Sequence, residues 1–280
     1  MARPLMALMA VMAGALLLAG CGGGGGDATQ GKTAQQILDE SSAKTEALTS
    51  YRFGIDLKAT AEVTGAGDLS GFLANPVELS GEGAAKEPGD FTLDLTLNLG
   101  PGAFQANVTK VGGSLYGSVL GQDIKLDASP QTVRSLDVTG LAPAISSWIT
   151  APEIVGTEDV DGVQLVHIRG QVDEAALAED VGGLLSGVGQ GAAVDPDAAG
   201  AGSDLETGVV DVWVGAEDML IHKAEAEVVS GDPLAAAPQV KSLDLDLTAT
   251  LSDFDAPVEV TAPTGARTLS LDSITGLLGG

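Results

Sequence analysis

The sequence predicts an α+β fold, a large curved antiparallel sheet with helices across its apolar face. Three observations carry this reading. Long segments alternate apolar and polar residues with a period of two, shorter strand candidates between them are joined by Gly-containing turns, and a few segments carry a helical period. Strands of this kind have one wet and one dry face. A long meander of them curls, and a curled sheet whose dry face is not fully filled leaves a hollow.

The chain opens with Arg3 and then an apolar run, Leu5 to Leu18, interrupted only by Gly14. That run has the length of a signal-peptide core and falls short of the ~20 residues a membrane span needs. It ends in Leu18-Ala19-Gly20-Cys21, which resembles the lipobox of bacterial lipoproteins. The resemblance implies cleavage before Cys21 and attachment of diacylglycerol to it, placing the chain on the extracytoplasmic face of the cell membrane. Two or more acyl chains hold a protein stably where one does so only marginally. Residues 21–31 are then a Gly-rich tether with a reach of roughly 18 Å, and a domain follows over 32–263, with 264–280 as a tail.

Within that domain, Thr33 to Leu48 reads as a helix, with Thr33 and Gln36 spaced as a capping box and Ile37, Leu38, Ala43, Ala47 and Leu48 as its stripe. The period then switches to two. Phe53, Ile55, Leu57, Ala59, Ala61 and Val63 form one dry face; Phe91, Leu93, Leu95, Leu97 and Leu99 a second; Leu243, Leu245, Leu247, Ala249 and Leu251 a third. Residues 102–109, 114–119 and 122–127 are shorter strand candidates. Ser129-Pro130 opens a helix expected to pack through Leu136, Leu141, Ile145, Trp148 and Ile149. Residues 153–158 and 163–170 form a hairpin around Asp161-Gly162. A helix is expected from about Asp173 to Leu185, and Gly187 to Ser203, almost all Gly, Ala, Asp and Pro, reads as a floppy loop. Strands resume at 208–214 and 219–229, and Val258 to Thr261 is a short final candidate. The tail after Thr268 fits a strand or a loosely docked helix.

Composition removes several classes of function. The net charge is −26, and loss of residues 1–20 takes away Arg3 and no acid, leaving about −27. So acidic a surface repels nucleic acid. Aromatic residues make up only 3% of the chain, too few for the stacking platforms that sugars and bases use. Cys21 is the single cysteine, so once it carries lipid no disulfide or thiol chemistry is left. The nucleophile elbow and zinc-peptidase motifs are missing. His167 and His222 lie on separate strands. Parity puts His167 opposite Val166 and Ile168, and gives His222 the side of Ala224, Ala226 and Val228. The rings are thus expected on opposite sides, one exposed and one partly buried, with no shared metal. No cofactor and no enzymatic activity are expected.

Residues 37–53, Ile-Leu-Asp-Glu…Ala-Leu-Thr-Ser-Tyr-Arg-Phe, together with the strand-turn-strand of 155–170, the pair 210–214 and 219–223, and the segment 251–263, resemble the LppX/LprA/LprF/LprG group of actinobacterial lipoproteins. The likeness spans about residues 33–263. It implies a half-barrel sheet with helices over its open side, similar to LolA and LolB, and an apolar cavity that holds acylated lipids or glycolipids for transfer across the cell envelope. Strand parity names the expected lining: Phe53, Ile55, Leu57, Phe91, Leu93, Leu95, Leu97, Val108 and Leu245. The alternative is an anchored, non-enzymatic interaction protein whose sheet has a filled core. Either is expected to be a monomer.

Overall fold

The computed structural model describes residues 28–63, 75–99, 102–119, 121–127, 140–173, 176, 205–230 and 240–270. Cys21, the first part of the helix expected from Ser129-Pro130 (129–139), the helix expected over 173–185 apart from Asp173 and Ala176, and the loop 187–203 lie outside them. The final four residues of the expected tether form a turn that joins the domain, with the Ala28 N–H donating to Ala216 O at 2.7 Å.

The first helix, α1 (Ala34–Glu46), begins as the sequence predicts. Thr33 Oγ1 accepts from Gln36 N, and Gln36 Oε1 accepts from Thr33 N. Its buried stripe differs from the expected one. Ala34, Ile37, Leu38, Ser41, Thr45 and Leu48 face inward, while Ala43 and Ala47 are exposed. A period of 3.6 carries the stripe through 34, 38, 41, 45 and 48, and two hydroxyl residues stand at its centre.

Among the described residues twelve strands follow: β1 (Ser50–Val63), β2 (Val77–Lys86), β3 (Asp90–Leu99), β4 (Ala103–Val111), β5 (Ser114–Val119), β6 (Gln122–Asp127), β7 (Ile149–Val160), β8 (Val163–Val172), β9 (Leu205–Gly215), β10 (Ile221–Ser230), β11 (Val240–Ser252) and β12 (Arg267–Ser270). A short helix, α2 (Leu141–Ala144), and a 3-10 turn (Ile145–Trp148) precede β7. All strands join one open sheet in the order β12-β6-β5-β4-β3-β2-β1-β11-β10-β9-β8-β7. Every pairing is antiparallel except β12 with β6. The α+β half-barrel is therefore the observed fold.

Several expectations change. Strand β2 was not foreseen, because its inward positions 81 and 83 are glycines and break the alternation. A Cβ on Gly83 would stand 2.5 Å from both Phe53 Cζ and Thr92 O, so the neighbouring ring needs that space. Ile149, expected on a helix, begins β7. Residues 258–261 form no strand. Pro257 and Pro263 remove ladder donors around them, and although Val258 is buried, the chain pairs only later, as β12 against β6. The hairpin at Asp161-Gly162 turns as predicted, with φ of 55° and 83° at the two residues.

Candidate functional site

The register lays the predicted lining residues on one continuous face. Phe53, Ile55, Leu57 and Ala59 of β1 stand opposite Leu251, Ala249, Leu247 and Leu245 of β11. On the other flank the same residues meet Gly83, Gly81, Leu79 and Val77 of β2. Gly83, Gly81 and Leu79 in turn meet Leu93, Leu95 and Leu97 of β3, and these pair with Val108, Ala106 and Phe104 of β4. One aliphatic surface thus crosses five strands without a charged side chain among these positions.

Burial divides that surface. Phe91 and Leu93 sit inside the core cluster that also holds Ile37 and Leu38 of α1, so they belong to the packed core. Phe53, Leu95, Val108, Leu245 and Leu247 are partly buried against that cluster. Ile55, Leu57, Leu79 and Leu97 also keep part of their surface, and Phe104 is 62% exposed at the rim. The result is a trough, closed where α1 lies against α2, β7, β9 and β10 and half-open toward Leu57 and Leu97. Gly81 widens it, since a Cβ there would meet Leu95 Cδ2 at 2.9 Å and Leu93 Cδ1 at 3.1 Å.

The outer face of the same strands is polar. Asn107 Nδ2 donates to Asp94 Oδ1 at 2.8 Å, and Thr92 Oγ1 lies 3.1 Å from Thr109 Oγ1. Two shallow depressions of about 370 and 420 Å³ lie on this side, walled largely by Arg52, Glu82 and Asp94 in one case and by Asp56, Lys58, Glu78 and Asp246 in the other. Neither suits a hydrocarbon.

One histidine differs from expectation. His167 does face outward, but it is buried rather than exposed. Its ring stacks on Trp213 at 4.4 Å, Nε2 lies 2.5 Å from Asp211 Oδ1, and Nδ1 lies 3.2 Å from Glu158 Oε1. Lys223 Nζ covers the Trp213 ring at 4.6 Å. Burial pushes the Asp211 carboxyl up, but hydrogen bonds and charge from Arg169 and His167 outweigh it and hold the group below its ordinary range. A register shift between Ile221 and Lys223 falls at His222, which is partly buried as expected. Its Nε2 lies 2.9 Å from Asp218 Oδ2, and its ring meets Phe254 edge-on. The histidines are engaged separately, His167 by Asp211 and Glu158 and His222 by Asp218. The sequence also holds a Ser-x-x-Lys spacing, Ser41 to Lys44. The helix turns Ser41 inward and Lys44 outward, where Nζ donates to Asp218 O at 3.0 Å, so the two do not form a dyad.

No protein-family model matches the sequence, and no curated protein does. Among solved structures, LprF from Mycobacterium bovis superposes with a TM-score of 0.50 and 18% identity, over 83% of this chain and 97% of that one. The lipoprotein LppX of Mycobacterium tuberculosis gives 0.44 and 15%, over 81% and 98%. A LolA superfamily protein from Nitrosomonas europaea gives 0.29 and 10%, over 81% and 94%. The LprF likeness establishes the fold, and it is the fold that the sequence resemblance implied.

Proposed function

We propose that this chain is a lipoprotein, held to the extracytoplasmic face of the cell membrane through Cys21, that binds acylated lipid or glycolipid in its trough and helps carry it across the cell envelope. The observation that carries the reading is the half-exposed aliphatic surface from Leu245 and Leu247 through Ile55 and Leu57 to Leu95 and Leu97. A contiguous apolar surface of this kind marks a binding site when it stays accessible to solvent. Burying a methylene contributes about 0.8 kcal/mol, so one sixteen-carbon chain offers ~12 kcal/mol before the cost of ordering it. The bilayer solvates the same chain equally well, so a carrier needs only a dry refuge between membranes. Catalytic groups and a cofactor serve no purpose in that task, and a monomer suffices for it.

Native mass spectrometry of the full chain, released from a bacterial membrane extract, tests this. A stoichiometric acylated lipid is expected, and Leu95→Trp, which fills the trough, is expected to abolish its retention without unfolding the protein. A mass without ligand that persists after incubation with lipid vesicles refutes the reading. It would favour the second one, an interaction protein, for which the 47% exposed Ile154 and 56% exposed Val155 on β7 are the supporting observation.

A further inference from the structure

Two polar side chains stand where the rest of the molecule leads one to expect leucine. Ser41 and Thr45 occupy the centre of the inward stripe of α1, flanked by Ile37, Leu38 and Leu48, and both are buried to within 2% of complete. Neither hydroxyl has a hydrogen-bond partner among the described residues. A serine or threonine inside a helix ordinarily returns its proton to the carbonyl one turn back, here Ile37 O and Ser41 O, yet neither does so. Burying a hydroxyl without a partner is costly, and native structures avoid it. Two such groups, four residues apart on one face, ask for an acceptor.

From this we infer that Ser41 and Thr45 form a polar clip for the ester or amide carbonyl of the bound lipid. The inference rests on the carrier reading above and names the chemistry that the trough recognises. Residues one turn apart on a helix have Cβ atoms about 5–6 Å apart. An acceptor oxygen placed between them reaches each hydroxyl at about 2.8 Å, the usual O–H···O length. A carbonyl supplies that acceptor and brings no donor or charge that would itself need a partner in the dry interior. A carboxylate fits less well. The cation nearest in the helix sequence, Lys44, faces outward and is bonded to Asp218 O.

The path to the clip is continuous. The cluster that α1 covers extends through Phe53, Leu95, Val108, Leu245 and Leu247 into the half-open end of the trough. An acyl chain lying along these residues brings its carbonyl under the helix. The helix is held by packing and by polar ties, among them Ser42 Oγ to Pro143 O and Lys44 Nζ to Asp218 O, and entry of a lipid carbonyl requires it to lift.

The test compares methyl palmitate with octadecane, which has the same chain length and no carbonyl. Both are offered in equal amounts to the full chain in amphipol, and the retained ratio is read by mass spectrometry for wild type and for Ser41→Ala/Thr45→Val. The double variant is expected to retain octadecane as well as wild type does and to lose ester preference by about tenfold, which corresponds to one or two net hydrogen bonds. With 13C-carbonyl ester, the bound C=O stretch is expected at lower frequency in wild type than in the variant. The single variant Ser41→Ala serves as the check if the double variant does not fold. Retention of both probes with an unchanged ratio and an unshifted carbonyl would overturn the clip while leaving the carrier reading in place. Retention of neither probe by wild type would overturn both.

Discussion

On β8, β9 and β10 the inward side chains Ile168, Val210, Val212, Val214 and Ile221 are wholly shut off from solvent, whereas on β1 and β3 the inward Ile55, Leu57, Leu95 and Leu97 keep part of their surface. Both wings belong to one sheet and alternate dry with wet in the same way. The difference is the cover, since α1 lies on β7, β9 and β10, with α2 and the 3-10 turn packed beside it. Alternation specifies which face is dry, and a separate element decides whether that dry face becomes core or remains a trough. The outer faces differ correspondingly. Behind the closed wing, His167, Trp213, Asp211 and Arg169 form one packed polar cluster, while behind the trough the outer face carries short Thr, Asp and Asn contacts.

The largest expected contrast comes from truncating one residue in each wing. Ile168→Ala should cost about 2–5 kcal/mol through the cavity it leaves, whereas Leu57→Ala, already half in water, should cost about 1 kcal/mol or less. Urea denaturation with matched m-values measures both, and equal costs would erase the distinction between core and trough. Next in size, Asp211→Asn removes the charge and one of the two carboxylate oxygens that hold His167 and Arg169, and should cost about 1.5–3 kcal/mol. It also bears on acid sensitivity. The Asp211 and Asp218 carboxyls are held below their ordinary value of 3.8 in the fold, Asp218 by hydrogen bonds from His222 and the Leu220 N–H that outweigh its burial. Groups lowered in this way contribute stability that is fully present above that value and is lost as pH falls through their folded pKa. The melting temperature should therefore drop as pH is taken below about 4, and less steeply for Asp211→Asn. A parallel drop in both proteins would contradict the assignment.

A smaller effect, about 1–3 kcal/mol, is expected for Gly83→Ala, whose Cβ meets Phe53 Cζ and Thr92 O. The smallest is Thr33→Ala, about 1 kcal/mol for a lost cap, read by thermal unfolding. If the cover is what closes the wing, Thr33→Ala should also raise hydrogen exchange at Val212 and Ala224 more than at Leu57.

Much of this was legible in the residues. The alternations that became β1, β3 and β11, the capping box and the turn at Asp161-Gly162 are local signals that survive into the fold. What escaped depended on distant neighbours. Gly81 and Gly83 look like breakers until Phe53, Leu93 and Leu95 lie over them. His167 looks like a wet-face residue until Trp213 covers it. The pairing of β12 with β6 joins segments more than a hundred residues apart in sequence, and no local period encodes it. Ser41 and Thr45 had no place in the stripe expected of the helix, since polar residues usually face solvent. The register sets the residues that parity grouped side by side on one face, but parity could not separate Phe91 and Leu93, which are buried in the core, from Leu57 and Leu97, which are not.

The most direct measurement is photo-crosslinking with a diazirine-bearing palmitoyl ester, the attachment sites mapped by peptide mass spectrometry. The account predicts labels on the inward residues Ile55, Leu57, Leu95, Leu97 and Leu245, and almost none on Asp56, Lys58, Asp94 or Thr96, which alternate with them along the same strands. Labels spread evenly over both sets, or confined to the outer face, would contradict the claim that the half-open apolar face is the lipid site.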